Sequence, residues 1–207
     1  MRVHSSVLAA TCALVPVVAL AGGETVPCPA HKAGASFRYS KTNVVYNNTT
    51  ENVAKIESIE GDRVRGTNED GLPVVTDMIS NPYNIGQRKA TPKFYRMPEC
   101  PFVLGESRVY KDVDYDGFSP GSRERGMFTV TVDPEFESLT VPAGSFKVVK
   151  VVSELTYRSG DLDGKARTVS FYAPEIGVVV KKDFREQLIA GREIHFLYEL
   201  LGYAPGQ

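Results

Sequence analysis

Thr140-Val141-Pro142-Ala143-Gly144-Ser145-Phe146-Lys147-Val148 and Phe171-Tyr172-Ala173-Pro174-Glu175-Ile176-Gly177-Val178-Val179-Val180-Lys181 are the two segments that decide the fold. Each interrupts a β-rich run with a proline followed shortly by a glycine. Proline has no N–H to give a ladder, so it suits a strand entrance or edge, and glycine supplies a turn conformation. Phe146 then restarts burial. The stretch Thr140 to Lys182 therefore reads as a long hairpin between two hinges, positions that specify topology rather than chemistry.

The same period of two runs outward in both directions. Val178, Val180, Lys182 and Phe184 alternate, Ala190-Gly191 turns the chain, and Ile194, Phe196, Tyr198 and Leu200 close it. Within the hairpin, Val149, Val151, Leu155 and Tyr157 share one face, whereas Phe146 and Val148 lie in the opposite phase, which predicts a β-bulge between them. Asp161-Leu162-Asp163-Gly164 turns this strand into Arg167 to Ala173. Upstream, Phe128, Val130 and Val132 face one way and Thr129 and Thr131 the other, after a strand at Arg108 to Asp114.

Nearer the N-terminus, Phe37 and Tyr39 open a meander that continues through Val53 to Ile59, Arg63 to Thr67 and Val74 to Ile79, separated by Glu60-Gly61-Asp62 and Asp70-Gly71. Residues 81 to 105 carry Pro82, Pro92, Pro98 and Pro101 and read as a long irregular crossover anchored at Cys100. Roughly ten strands without helical periodicity predict an all-β fold, an antiparallel curved sheet that is either half-open or closed into a barrel.

Residues 1–21 read as a cleaved signal peptide: Arg2 is the positive start, Val7 to Ala21 is apolar apart from Thr11, and Ala19-Leu20-Ala21 offers small residues for cleavage. Leu8-Ala9-Ala10-Thr11-Cys12 loosely follows a lipoprotein box, but Thr11 suits it poorly and the apolar run continues beyond it. That run, about 15 residues with Pro16 inside, is too short for a transmembrane helix, and no later stretch is long enough. Residues 22–207 read as one β domain with a flexible N-terminal tail, Gly22 to Lys32, that Cys28 would pin to the body. Cys28 and Cys100 then remain, an even count in an exported chain, and predict a disulfide, the alternative being two buried thiols. Closing that loop is worth about 4 kcal/mol in the chain-entropy model.

The chain's 207 residues are 42% hydrophobic and 24% charged, enough for one core, and the formal net charge of −1 argues against nucleic acid or an anionic membrane as partner. Nucleophile elbows, zinc-helix motifs and phosphate loops are absent from the sequence. His195 shares a strand face with Glu199, a geometry that would allow an acid-base pair but that more simply describes a histidine packed at a sheet surface, so catalytic residues are not assigned.

Asp112-Val113-Asp114-Tyr115-Asp116-Gly117 matches the first half of a calcium loop, with three carboxylates at every second residue and a glycine for the sharp turn. The second half departs from it: Arg123 stands at the twelfth position, Glu124 at the thirteenth and Pro120 at the ninth. On a β-strand the same spacing puts Asp112, Asp114 and Asp116 on a solvated face with Val113 and Tyr115 inward, without a metal. A required cofactor is therefore not expected, with calcium the one candidate. Ten Tyr and ten Phe fill the core, or line an apolar groove if the sheet stays open.

Pro142-Ala143-Gly144-Ser145-Phe146 and Tyr172-Ala173-Pro174 with Gly177 and Val179, followed by Leu200 and Tyr203, resemble the bacterial exported family catalogued as domain of unknown function 3108, including its TapB-like branches. The likeness covers about Val103 to Tyr203. It implies an antiparallel β fold in the periplasm or at the cell surface, and carries over no reaction and no catalytic residues. The expectation is a non-enzymatic periplasmic or envelope-associated binding protein for an apolar small molecule, a lipid or a protein partner. The alternative is a calcium-stabilised structural or adhesion accessory protein.

Overall fold

The computed structural model describes residues 23–116, 123–159, 162–187, 191 and 193–206. The leader 1–21, Cys12, and the Gly117 and Pro120 positions of the calcium-loop pattern lie outside them, as do Asp161 and Ala190 of two expected turns. The described residues contain fourteen strands and no helix. In chain order these are β1 (Thr25–Val26), β2 (Ser36–Asn43), β3 (Asn48–Glu60), β4 (Arg63–Thr67), β5 (Pro73–Thr76), β6 (Pro82–Ile85) and β7 (Arg88–Thr91). There follow β8 (Phe102–Val103), β9 (Ser107–Asp116), β10 (Arg123–Val141), β11 (Gly144–Ser159), β12 (Leu162–Ala173), β13 (Val178–Gln187) and β14 (Glu193–Ala204).

Twelve of them close into an antiparallel barrel in the order β10-β11-β12-β13-β14-β2-β3-β4-β5-β6-β7-β9, with β9 paired to β10. Closure removes the free edges of the barrel sheet, which is how an all-β chain protects its backbone donors and acceptors, and β1 and β8 pair in a separate two-stranded sheet. The expected hairpin is β11 and β12, and both hinges are where the sequence puts them: Gly144 and Gly177 have φ of 137° and 72°, and Gly177 N–H donates to Ala173 O at 2.9 Å. The inward phase of β11 does switch between Val148 and Val149, both fully buried. Its partner makes the adjustment. Val132 pairs with Val151 and Phe136 with Val149, so the extra residues sit on β10, at Asp133-Pro134-Glu135.

Two segments differ from expectation. The stretch from Gly23 to Lys32, read as a tail that Cys28 could pin to the body, is pinned there, Cys28 being bonded to Cys100 with a Cα separation of 5.1 Å, within the usual range, and it is docked further than expected: β1 pairs with β8 and Val26 is 1% exposed. The apolar Val26 has a place in the core, and its burial supplies what composition alone did not reveal. Residues 81–105 are likewise not an irregular crossover throughout, because β6 and β7 form two barrel strands. Pro82 is tolerated as the first residue of its strand, as strand chemistry allows.

The core falls into two clusters. One gathers Phe128, Val130, Val132, Val149, Val151, Tyr157 and Tyr172 beneath Phe94, Tyr95, Met97 and Phe102 of the segment that follows β7. The other joins Phe37, Tyr39, Ile56, Val64, Phe146, Val148, Val178, Val180 and Leu200.

Candidate functional site

On β13 the inward phase runs Val178, Val180, Lys182, Phe184, Glu186, so two ionisable groups enter the barrel along one strand. Lys182 is 9% exposed and Glu186 8%. Charges at this depth require partners, since desolvation otherwise favours their neutral forms.

The partner of Lys182 comes from the turn between β4 and β5. Asn68 Oδ1 accepts the N–H of Asp70 at 3.0 Å and of Leu72 at 2.9 Å, the side-chain-to-backbone pattern by which asparagine builds turns. So folded, the turn puts Glu69 Oε1 against Lys182 Nζ in a hydrogen-bonded ion pair, with a guanidinium nitrogen of Arg96 3.6 Å from the same oxygen. Asp70 accepts from Lys41 Nζ at 2.7 Å and from Tyr198 Oη at 3.2 Å. Lys182 Nζ also lies 4.0 Å from the centre of the Tyr198 ring, a cation–π contact.

Burial would by itself raise the Glu69 pKa, but Lys182 and Arg96 outweigh it and hold the carboxyl down at about 2. Burial pushes the Lys182 ammonium below its ordinary value, and repulsion from Arg96 adds to this against the attraction of Glu69.

These groups line a cavity of about 130 Å³ whose apolar wall includes Phe37, Ile56, Val64, Val74, Met97 and Val178. A second cavity of about 90 Å³ lies among Phe94, Phe128, Leu155, Phe184 and Glu186, and Arg96 lines both. Tyr157 Oη donates to Glu186 Oε1 at 3.0 Å, and burial raises the pKa of that carboxyl. Glu124, 4% exposed, stands near it.

Arg96 and Met97 are held in place by one asparagine. Asn81 is fully buried; its Oδ1 accepts Arg96 N–H and Met97 N–H, each at 2.8 Å, and its Nδ2 donates to Met97 O at 3.0 Å and Asp77 Oδ2 at 3.1 Å. Asp77 in turn accepts from Lys93 Nζ at 2.6 Å and caps Ile79 N–H at 3.1 Å. Ser153 Oγ donates to Tyr95 O at 2.7 Å, fastening the same segment to β11.

The residues singled out from sequence lie elsewhere, on the barrel's outside. Val113 and Tyr115 point inward, 0% and 2% exposed, while Asp114 and Asp116 face outward by strand alternation. Asp112 is exposed at a bulge, with a φ of 55° where the β9–β10 register shifts opposite Met127. Arg125 reaches Asp114 at 2.9 Å and Asp112 at 3.9 Å, and Arg123 reaches Asp116 at 3.2 Å. Among the described residues, no three His, Cys, Asp or Glu side chains gather so as to hold a metal ion. His195 and Glu199 are not brought together: Glu199 accepts from Lys181 at 2.8 Å, and His195 Nε2 lies 3.1 Å from Asp183 Oδ1 without the alignment of a hydrogen bond. His31, which the sequence places in the tail, contacts Met78 O at 2.8 Å and lines the first cavity.

A solved structure from Parabacteroides distasonis, of a protein named provisionally as a lipoprotein, has the same fold. It is 13% identical to this chain, covers 87% of it and the whole of its own length, and gives a TM-score of 0.51. The hypothetical lipoprotein YmcC of Escherichia coli is also similar, at 12% identity and a TM-score of 0.47 over 83% of this chain and 85% of its own. A Bacteroides fragilis protein described as exported, with a YmcC-like fold, gives 14% identity and 0.39 over 88% and 99%. No protein-family profile matches the chain, and no curated protein does.

Lys182 was legible in the sequence as a member of the inward phase of β13, a lysine among core positions. Glu69 reads only as part of a polar turn, and Arg96 carries no periodic signal at all, because both reach the interior from loops.

Proposed function

We propose that this is an exported, non-enzymatic binding protein that takes a small, largely apolar molecule into the barrel cavity beside Lys182. The observation that carries this reading is an apolar wall with a few converging polar groups, the usual composition of a ligand site. At about 130 Å³ the cavity is close to the roughly 150 Å³ that admits benzene in an engineered apolar core. One ring or a chain of about six carbons matches that size, which narrows a lipid-like ligand to a short one. Export is supported by the leader-like residues 1–21 and by the Cys28–Cys100 disulfide, which persists in oxidising compartments. The resemblance to the exported family agrees with an envelope placement.

Native mass spectrometry of protein recovered from its own exporting host tests this. A small mass increment released on collisional activation is expected, and a mass equal to the bare oxidised chain counts against the reading. A protein partner is a second reading, favoured by the β2–β3 turn, where Val44, Val45 and Tyr46 are 40%, 52% and 78% exposed. Loss of a co-purifying protein on substituting all three by serine would support it.

A further inference from the structure

Two cations converge on a single carboxylate oxygen in the wall of the first cavity, and Glu69 is the one Asp or Glu among the described residues that line it. Arg96 offers five N–H donors in a fixed fork suited to a carboxylate. Among the described residues its guanidinium makes no hydrogen bond, and its one ion-pair contact is the 3.6 Å approach to Glu69. Of the nearby charges, Lys41 and Asp70 neutralise each other, Glu186 is bonded by Tyr157, and Glu124 and Arg88 lie toward the second cavity. Lys55 and His31 also line the first cavity, His31 with its Nε2 on Met78 O, but neither is ion-paired to Glu69.

We propose that Lys182 and Arg96 form the head-group subsite for a small amphipathic carboxylate, whose short apolar part fills the cavity, and that Glu69 occupies this subsite when ligand is absent. The inference rests on the cavity reading above and adds the class of ligand. Glu69 belongs to a turn rather than a strand, so it can leave the subsite without breaking a ladder. Replacing one carboxylate by another keeps Lys182 paired, which matters because an unpartnered buried charge is far more costly than an exchanged one. A ligand carboxylate would in addition engage the free donors of Arg96 in a two-point fork, and such charge-assisted bonds are about twice as strong as neutral ones.

The probes are hexanoate, hexan-1-ol and hexylamine, titrated calorimetrically into the full oxidised protein, with folding of each variant checked by its melting curve. Hexanoate is expected to bind at least about tenfold more tightly than hexan-1-ol, the difference a charge-assisted bond supplies. Lys182→Met and Arg96→Met should each abolish that preference, read as the ratio of hexanoate to hexan-1-ol affinity within each variant. Glu69→Gln, which removes the internal competitor but keeps the shape of the turn, should tighten hexanoate. Because Arg96 is only partly buried, its variant remains informative if Lys182→Met fails to fold. Binding of hexan-1-ol or hexylamine as tight as that of hexanoate overturns the carboxylate subsite while the cavity reading stands. Failure of all three probes overturns both.

Discussion

Asn81→Ala is the perturbation whose effect is most directly worked from the structure. The substitution deletes four hydrogen bonds at a fully buried position and leaves Met97 N–H, Met97 O and Arg96 N–H without their partners. A buried group left unpaired costs about 1–3 kcal/mol, so three at the low end of that range give a loss of about 3 kcal/mol. Asp77 keeps Lys93 and Ile79 N–H, so its own penalty is smaller. Typical domains are stable by about 5–15 kcal/mol, so the variant should fold and yield a measurable urea midpoint with the disulfide intact. Asn84→Ala is the comparison: Asn84 Oδ1 accepts one bond, from Val75 N–H at 2.8 Å, and its loss should cost about 1 kcal/mol. An Asn81→Ala loss no larger than that of Asn84→Ala would refute the claim that Asn81 fixes the segment carrying Arg96 into the cavity.

Four further outcomes follow from the same structure. Cys28→Ser with Cys100→Ser should lower stability by about 4 kcal/mol, read from chemical denaturation. The Glu69 carboxyl is depressed from 4.5 to about 2 in the folded chain, so its contribution is present above pH 4.5 and is lost as pH falls toward 2; Glu69→Gln should flatten stability against pH across that window. Gly66→Ala places a Cβ 1.7 Å from Lys55 O, a backbone atom, so β3 and β4 must separate and the melting temperature should fall sharply; an unchanged value would contradict the close approach of these strands. Calcium distinguishes two readings of Asp112, Asp114 and Asp116. If Arg123 and Arg125 complete their pairing, the melting temperature stays constant in added calcium, whereas a rise that disappears in Asp114→Asn with Asp116→Asn would establish a metal site.

The antiparallel all-β architecture was legible because strand alternation is a local signal, whereas closure, left open between a half-open sheet and a barrel, depends on the long-range pairing of β9 with β10. Phe128, Val130 and Val132, or Val178 and Val180, report their own burial without knowledge of what they pack against. The docking of β1 and the strands β6 and β7 were not legible, since two to four residues are too few to show a period. The disulfide could be read from cysteine count and export. The interior site was visible only in part: Lys182 stands in an inward phase, but its partners approach from a turn and a loop, and no spacing rule links Glu69, Arg96 and Lys182 across more than a hundred residues. Asp112, Asp114 and Asp116 drew attention through a motif, yet alternation accounts for the outward placement of Asp114 and Asp116 and a bulge for that of Asp112, with Arg123 and Arg125 on the neighbouring strand.

The central claim is that a real cavity lies between the β4–β5 turn and β13 and admits a small molecule. Methyl-labelled NMR during a hexan-1-ol titration tests it most directly. Saturable shifts are predicted at Met97, Ile56, Val64 and Val178, which line the cavity, with Val130 and Val151, fully buried and not part of its lining, unmoved. Shifts absent at the first four, or equal at all six, would contradict the account.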